Sequence, residues 1–282
     1  MKKFEGMLFC TDLDGTLYTD AKKVSGQNLE AIEYWKSEGG LFTFITGRVP
    51  QTAREVYDII KPNAPYGCGN GVGIYDPVQE KYLWKQYLPD TILDLLRAVD
   101  ENLPEMGIQL NTEKTVYFNK DNEAMKGFRA GTGLPDIQCH YEEVQEPVLK
   151  VVFAHREEAQ MKALMELLHQ HPKADCFDFI RSERLLYEIL PKGSSKGTAL
   201  VKMAELLGIS LKKTIAVGDY NNDVSMIKTA GMGFAVENAV EEAKAAADYI
   251  TVNNNEHAIA AIIDGIENGE YDILCNEWRA KR

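Results

Sequence analysis

Short apolar runs that each break off into polar residues constrain this chain more than any other feature of it. Residues 7–11 (MLFCT), 41–45 (LFTFI) and 214–217 (TIAV) suit parallel strands buried on both faces, and 233–236 (GFAV) and 249–251 (YIT) read the same way. Between these runs the apolar spacing changes. Leu29, Ile32 and Trp35 mark a helix that stops at Gly39-Gly40; Ala53, Val56, Tyr57 and Ile60 mark another, with Pro50 as its first residue. Leu200, Met203, Ala204 and Leu207 form a stripe closed by Gly208, and Ile259, Ile262, Ile263 and Ile266 form the last. This alternation predicts an α/β, Rossmann-like core: a parallel sheet with helices on both faces.

From about Tyr82 to Glu188 the rhythm differs. Helical stripes at Ile92, Leu95, Leu96, Val99 and at Met161, Leu164, Met165, Leu168 lie among strands expected at 115–118, 149–153 and 185–190. The mixture predicts an inserted α+β domain. The expected division is a core in two parts, 1–83 and 189–282, around an insertion at 84–188. A chain of 282 residues with 45% hydrophobic content has the length and the apolar material for both.

A net charge of −12 argues against a broad nucleic-acid or anionic-membrane surface, which needs a basic face. Small anionic substrates stay open, because one lysine and a metal ion reverse the field inside a pocket. No apolar run approaches the roughly 18 residues of a membrane span, and the start lacks a secretory signal pattern. Cys10, Cys68, Cys139, Cys176 and Cys275 are scattered without CxxC spacing. That predicts neither a disulfide framework nor a zinc site, and fits a reducing cytoplasm.

Ligands of open parallel sheets bind beyond the carboxyl ends of the strands. The first predicted strand is followed by Asp12-Leu13-Asp14-Gly15-Thr16, the second by Thr46-Gly47-Arg48, and TIAV by Gly218-Asp219-Tyr220-Asn221-Asn222-Asp223. Asp12 and Asp14, two apart at a strand end, can face the same way while Leu13 turns inward. The pair also suits an acidic turn or a helix cap. Like charges this close are costly unless a cation or a shared proton relieves them, which favours a metal or catalytic role. Asn222 also suits the N-cap of a following helix. Lys196, at the start of a predicted helix, is ordinarily a solvent-exposed residue; an anion between its ammonium and the helix N-terminus would suit both.

DLDGTL, ITGR, SSKGTAL and GDYNND, in this order, resemble the four motifs of the haloacid dehalogenase superfamily of phosphohydrolases. From Met7 to about Ile263 the chain is similar to the Cof-type sugar-phosphatase branch, whose large C2-type cap lies between the second and third motifs. It departs from that pattern at His257-Ala258, where an acidic residue and glycine are common, and at Glu237, where glycine is usual.

The resemblance implies a Mg²⁺-dependent phosphatase of small phosphorylated metabolites, such as sugar phosphates or phosphorylated cofactors. Asp12 would attack phosphorus and form an aspartyl-phosphate, and Asp14 would serve as general acid and base. Asp12, the backbone carbonyl of Asp14, and Asp219 would hold the metal, with Asp223 binding through water or as support. Thr46, Gly47, Lys196 and Asn222 would grip the phosphoryl group. The insertion would act as a lid. A cytoplasmic monomer or weak homo-oligomer is expected, with neither nucleic acid nor membrane as a partner. Two alternatives remain: a phosphosugar mutase of the same superfamily, and a receiver-like phosphoacceptor, against which Asp14 and the long insertion argue.

Overall fold

The computed structural model describes residues 2–271, so Cys275 lies outside the described residues. In chain order the first part runs β1 (Leu8–Thr11), α1 (Gly26–Ser37), β2 (Leu41–Phe44), α2 (Pro50–Ile60), β3 (Tyr66–Cys68), β4 (Gly73–Asp76) and β5 (Lys81–Lys85). The middle runs α3 (Ile92–Asn102), β6 (Gly107–Asn111), β7 (Val116–Lys120), α4 (Glu123–Thr132), β8 (Lys150–Ala154), α5 (Glu158–Gln170), β9 (Phe177–Glu183) and β10 (Leu186–Pro191). The last part runs α6 (Lys196–Leu207), β11 (Thr214–Gly218), α7 (Val224–Thr229), β12 (Met232–Val236), α8 (Glu241–Ala246), β13 (Tyr249–Thr251) and α9 (Ala258–Glu267).

The chain divides into two compact units. Among the described residues, one comprises 2–47, 53–84 and 195–271; the other comprises 48–52 and 85–194. In the first unit a parallel sheet has the order β13-β12-β11-β1-β2. β1 is buried throughout because both its faces are covered. Phe9 points into a cluster with Phe42, Phe44, Trp35, Ile259 and Ile262. Leu8 and Cys10 point the other way, against Leu200, Met203, Ala216 and Met226. The period of two along the strand thus sends alternate residues to helices on opposite sides. The chain leaves β1 toward β2 on one side and returns as β11 on the other. Such a reversal opens a crevice at the carboxyl ends of β1 and β11. A small sheet of order β3-β4-β5 adjoins the end of β2 through a bridge from Ile45 to Gly67.

The second unit is an antiparallel sheet of order β7-β6-β8-β10-β9. Ile108, Leu110, Val151, Phe153, Tyr187 and Ile189 pack on Leu95, Leu96, Val99, Met161 and Leu164 of α3 and α5. The α/β class, with an inserted α+β part, holds. Strands β3, β4, β5, β6 and β9 and helix α4 are additions to what the apolar pattern predicts. No helix among the described residues is long and apolar enough to cross a membrane.

Candidate active site

The site is assembled from the loops at the carboxyl ends of β1, β2 and β11, which the parallel sheet brings side by side, with the start of α6 and the turn after β3. At the end of β1, the Asp12 N–H continues the ladder by donating to the Val217 carbonyl at 2.9 Å. This extended residue delivers its side chain at the sheet's edge with only 6% exposure. The chain then turns through Leu13–Leu17, where Gly15 has φ +84° and Tyr18 N–H closes the loop on the Leu13 carbonyl. A side chain at Gly15 would be strained and would also press within 2.5 Å of Asp219 Oδ2. The same turn aims Thr16 Oγ1 at Asp219 Oδ1, to which it donates at 2.8 Å.

After β11, Asp223 folds back on its own loop. Its Oδ2 accepts the N–H groups of Asp219 and Tyr220, each at 3.0 Å. Helix α6 starts behind Ser195, whose Oγ accepts the Thr198 N–H at 3.1 Å as an N-cap. Lys196, the first residue of that helix, departs from the solvent-exposed setting usual for such a lysine, for it is 1% exposed. Its ammonium donates to Asp12 Oδ1 at 2.5 Å and to Asp223 Oδ1 at 2.6 Å. Neither carboxylate is near it in sequence, so the burial of Lys196 follows from the sheet order.

Asn222 does not cap a helix through its side chain. It is buried, and its Nδ2 donates to Asn70 Oδ1 at 3.0 Å. Thr46 is also buried; its N–H donates to the Gly67 carbonyl, and its carbonyl accepts the Asn70 N–H at 2.9 Å. Gly47 lies against the same asparagine, since a Cβ added there would stand 3.0 Å from Asn70 Oδ1. The Asp14 carboxylate turns elsewhere. Its Oδ1 accepts Lys22 Nζ at 2.9 Å, and its side chain is 34% exposed. Thr16, Lys22 and Asn70 escaped the sequence reading. Asn70 had one local signal, a glycine on either side, which marks a tight turn.

Asp12, Asp219 and Asp223 each present an oxygen within 4.8 Å of the others. Burial holds the Asp12 carboxyl well above its usual range and the Asp223 charge adds to this; Lys196 opposes both. Asp219 is pushed up to about 7, first by burial and then by Asp223. Burial by itself lowers the Lys196 ammonium, but Asp12 and Asp223 outweigh it and raise the group. Three carboxylates cluster around one ammonium that pairs with two of them, Asp12 and Asp223, so negative charge is in surplus. An all-oxygen donor set with surplus negative charge fits a hard divalent cation and suits neither copper nor zinc.

A family model for haloacid dehalogenase-like hydrolases matches residues 9–263. The 5-amino-6-(5-phospho-D-ribitylamino)uracil phosphatase YwtE of Bacillus subtilis is 30% identical over 286 residues, covering 92% of this chain and 98% of its own. The pyridoxal phosphate phosphatase YbhA of Escherichia coli is 26% identical, covering 89% and 95%. TM0651 from Thermotoga maritima superposes with a TM-score of 0.77 at 25% identity, over 92% of this chain and 96% of its own. The sugar phosphatase BT4131, of subclass IIB, reaches 0.81 at 23% identity over 93% and 99%, a likeness of fold. With the family model spanning nearly the whole described chain, this protein belongs to the haloacid dehalogenase-like hydrolases, on their Cof-type phosphatase branch.

Proposed function

We propose that the protein is a Mg²⁺-dependent phosphatase of small phosphorylated metabolites, with Asp12 as nucleophile and Asp14 as general acid and base. The observation that carries this reading is the buried ammonium of Lys196 shared between Asp12 and Asp223 beside Asp219. Lys196 holds Asp12 Oδ1 and so orients the carboxylate for in-line attack. Asp12 forms a bond to phosphorus as the bond to the leaving oxygen breaks, and Asp14 supplies the proton that oxygen needs. Water then attacks phosphorus while Asp14 recovers its proton, and the Asp12–phosphorus bond breaks to release phosphate.

Thr46, Gly47, Lys196 and Asn222 bind the phosphoryl oxygens, each such electrostatic contact supplying on the order of 3 kcal/mol in the transition state. Asp12, Asp219 and the Asp14 carbonyl are the metal's ligands, and Asp223, whose oxygens already accept three N–H groups, supports them. When bound, Mg²⁺ screens the repulsion between the Asp12 carboxylate and the phosphate dianion. Substrates named for the relatives, a phosphoribityl-aminouracil and pyridoxal phosphate, define the range to be tried first. A cytoplasmic setting suits the free thiols at Cys10, Cys68, Cys139 and Cys176, and a monomer or weak homo-oligomer is proposed there.

A panel of phosphorylated metabolites, assayed for free phosphate with Mg²⁺ and with a chelator, tests the reading. Multiple turnovers that stop on chelation are expected. An isomeric sugar phosphate in place of free phosphate would make the protein a mutase instead.

A further inference from the structure

The turn Gly69-Asn70-Gly71 between β3 and β4 has three consecutive left-handed residues, with φ of +62°, +59° and +98°. Glycine takes this conformation freely. Asparagine takes it at some cost, and Asn70 does so while fully buried. The turn touches three loops at once. Its backbone holds Thr46, its side chain holds Asn222, and its amide rests on Gly47. At Gly71 an added Cβ would stand 2.0 Å from the carbonyl oxygen of Ser195, the residue before Lys196.

The amide pair is also incompletely satisfied. Asn70 Nδ2 and Asn222 Oδ1 are both buried without a hydrogen-bond partner. Exchanging O and N in both amides leaves the same tally, one donor and one acceptor spare. A buried polar group left in this state costs stability unless a water or a ligand meets it.

We propose that Asn70 is a positioning residue for phosphoryl binding. Its amide fixes the distance between Asn222 and the Thr46-Gly47 turn, so that donors from both loops meet one phosphoryl group. This rests on the phosphatase reading for what Asn222 and Thr46 bind, and the test separates the two. Asn70→Gly removes the side chain and introduces no strain at a left-handed position.

Calorimetric titration with inorganic phosphate in the presence of Mg²⁺ reads the site without requiring turnover. The wild-type protein is expected to bind phosphate, Asn70→Gly to bind it about 10-fold more weakly, and the melting temperature to stay within about 5 °C. Asn222→Ala should weaken binding similarly, and the double variant should be no weaker than the weaker single one. Hydrolysis of p-nitrophenyl phosphate should show the same non-additive pattern in kcat/KM. Unchanged phosphate affinity in Asn70→Gly overturns the proposal, as do losses that add in the double variant, or a loss matched by collapse of the melting temperature. Wild-type protein that binds phosphate but does not turn over sinks the phosphatase reading alone, and the binding cycle still decides the role of Asn70.

Discussion

Two buried charge clusters, one in each compact unit, differ in how their charges sum. In the inserted unit, Lys150 of β8 meets Glu188 of β10 at 2.6 Å, each side chain 4% exposed. One ammonium faces one carboxylate, and the sum is zero. In the core unit, Lys196 meets Asp12 and Asp223, with Asp219 beside them. One positive group there faces three negative ones. A balanced pair offsets part of its own desolvation, whereas a surplus of buried negative charge needs protons or a counter-ion from outside the chain. Buried charge marks a working site where its sum fails to close.

The sharpest way to separate the clusters is to remove the nucleophile. Asp12→Asn should lower turnover of p-nitrophenyl phosphate by about 10⁴-fold or more, in the range seen when a nucleophile is removed. Its melting temperature should equal or exceed the wild-type value, because the substitution reduces the charge surplus. Thermal melts and initial rates on one preparation check both halves; undiminished activity would end Asp12's assignment.

Breaking the balanced pair should do the reverse. Lys150→Met leaves Glu188 buried without its partner and should destabilise the protein by about 3–5 kcal/mol in urea unfolding. A neutral outcome would mean that the pair is not a pair in solution.

Magnesium should act on the surplus cluster alone. At about 100 times its dissociation constant, a ligand of the folded state adds about 2.7 kcal/mol. The gain depends on pH, with a sign that follows from Asp219. Its carboxyl rises from 3.8 to about 7 on folding, so in the metal-free protein its contribution to stability is full below pH about 4. That contribution is lost as pH climbs through about 7. The ionised form binds the cation, so the difference in melting temperature between Mg²⁺ and chelator should widen over the same interval. A gap that stays constant with pH would place the metal elsewhere.

The smallest effect is expected from replacing the balanced pair as a whole. Lys150→Met with Glu188→Leu should lie within about 1 kcal/mol of wild type, or be somewhat more stable. Equilibrium unfolding of the double variant beside the single one reads this directly.

The legibility of the sequence followed from which faces of a strand are apolar. β1, β2 and β11 are covered on both sides and announce themselves as unbroken apolar runs. β6 does not, because Gln109 and Asn111 alternate with Ile108 and Leu110 and yet are buried. β9 is equally quiet: Phe177 and Phe179 pack inward, while Arg181 engages Glu158. Helix α4 carries Gly127 and Gly131 and buries only Ala124 and Met125, too little for a stripe. At the site, the acidic residues stood out because they follow strands directly. Lys196 was placed by the resemblance of its SSKGTAL motif and not by its local pattern, since a lone lysine at a helix start is commonplace; Asn70, an asparagine between glycines, was not placed at all.

From residue order alone came the alternation of strands and helices and the placing of Asp12, Asp219 and Asp223 just beyond strand ends, because periodicity and burial act over a few neighbouring residues. Which charges meet was decided only by the folded sheet. Lys196 reaches Asp12 across 184 residues and Thr16 reaches Asp219 across 203. Coulomb attraction and desolvation depend on separation in space and on the surrounding medium, and neither is written in chain distance.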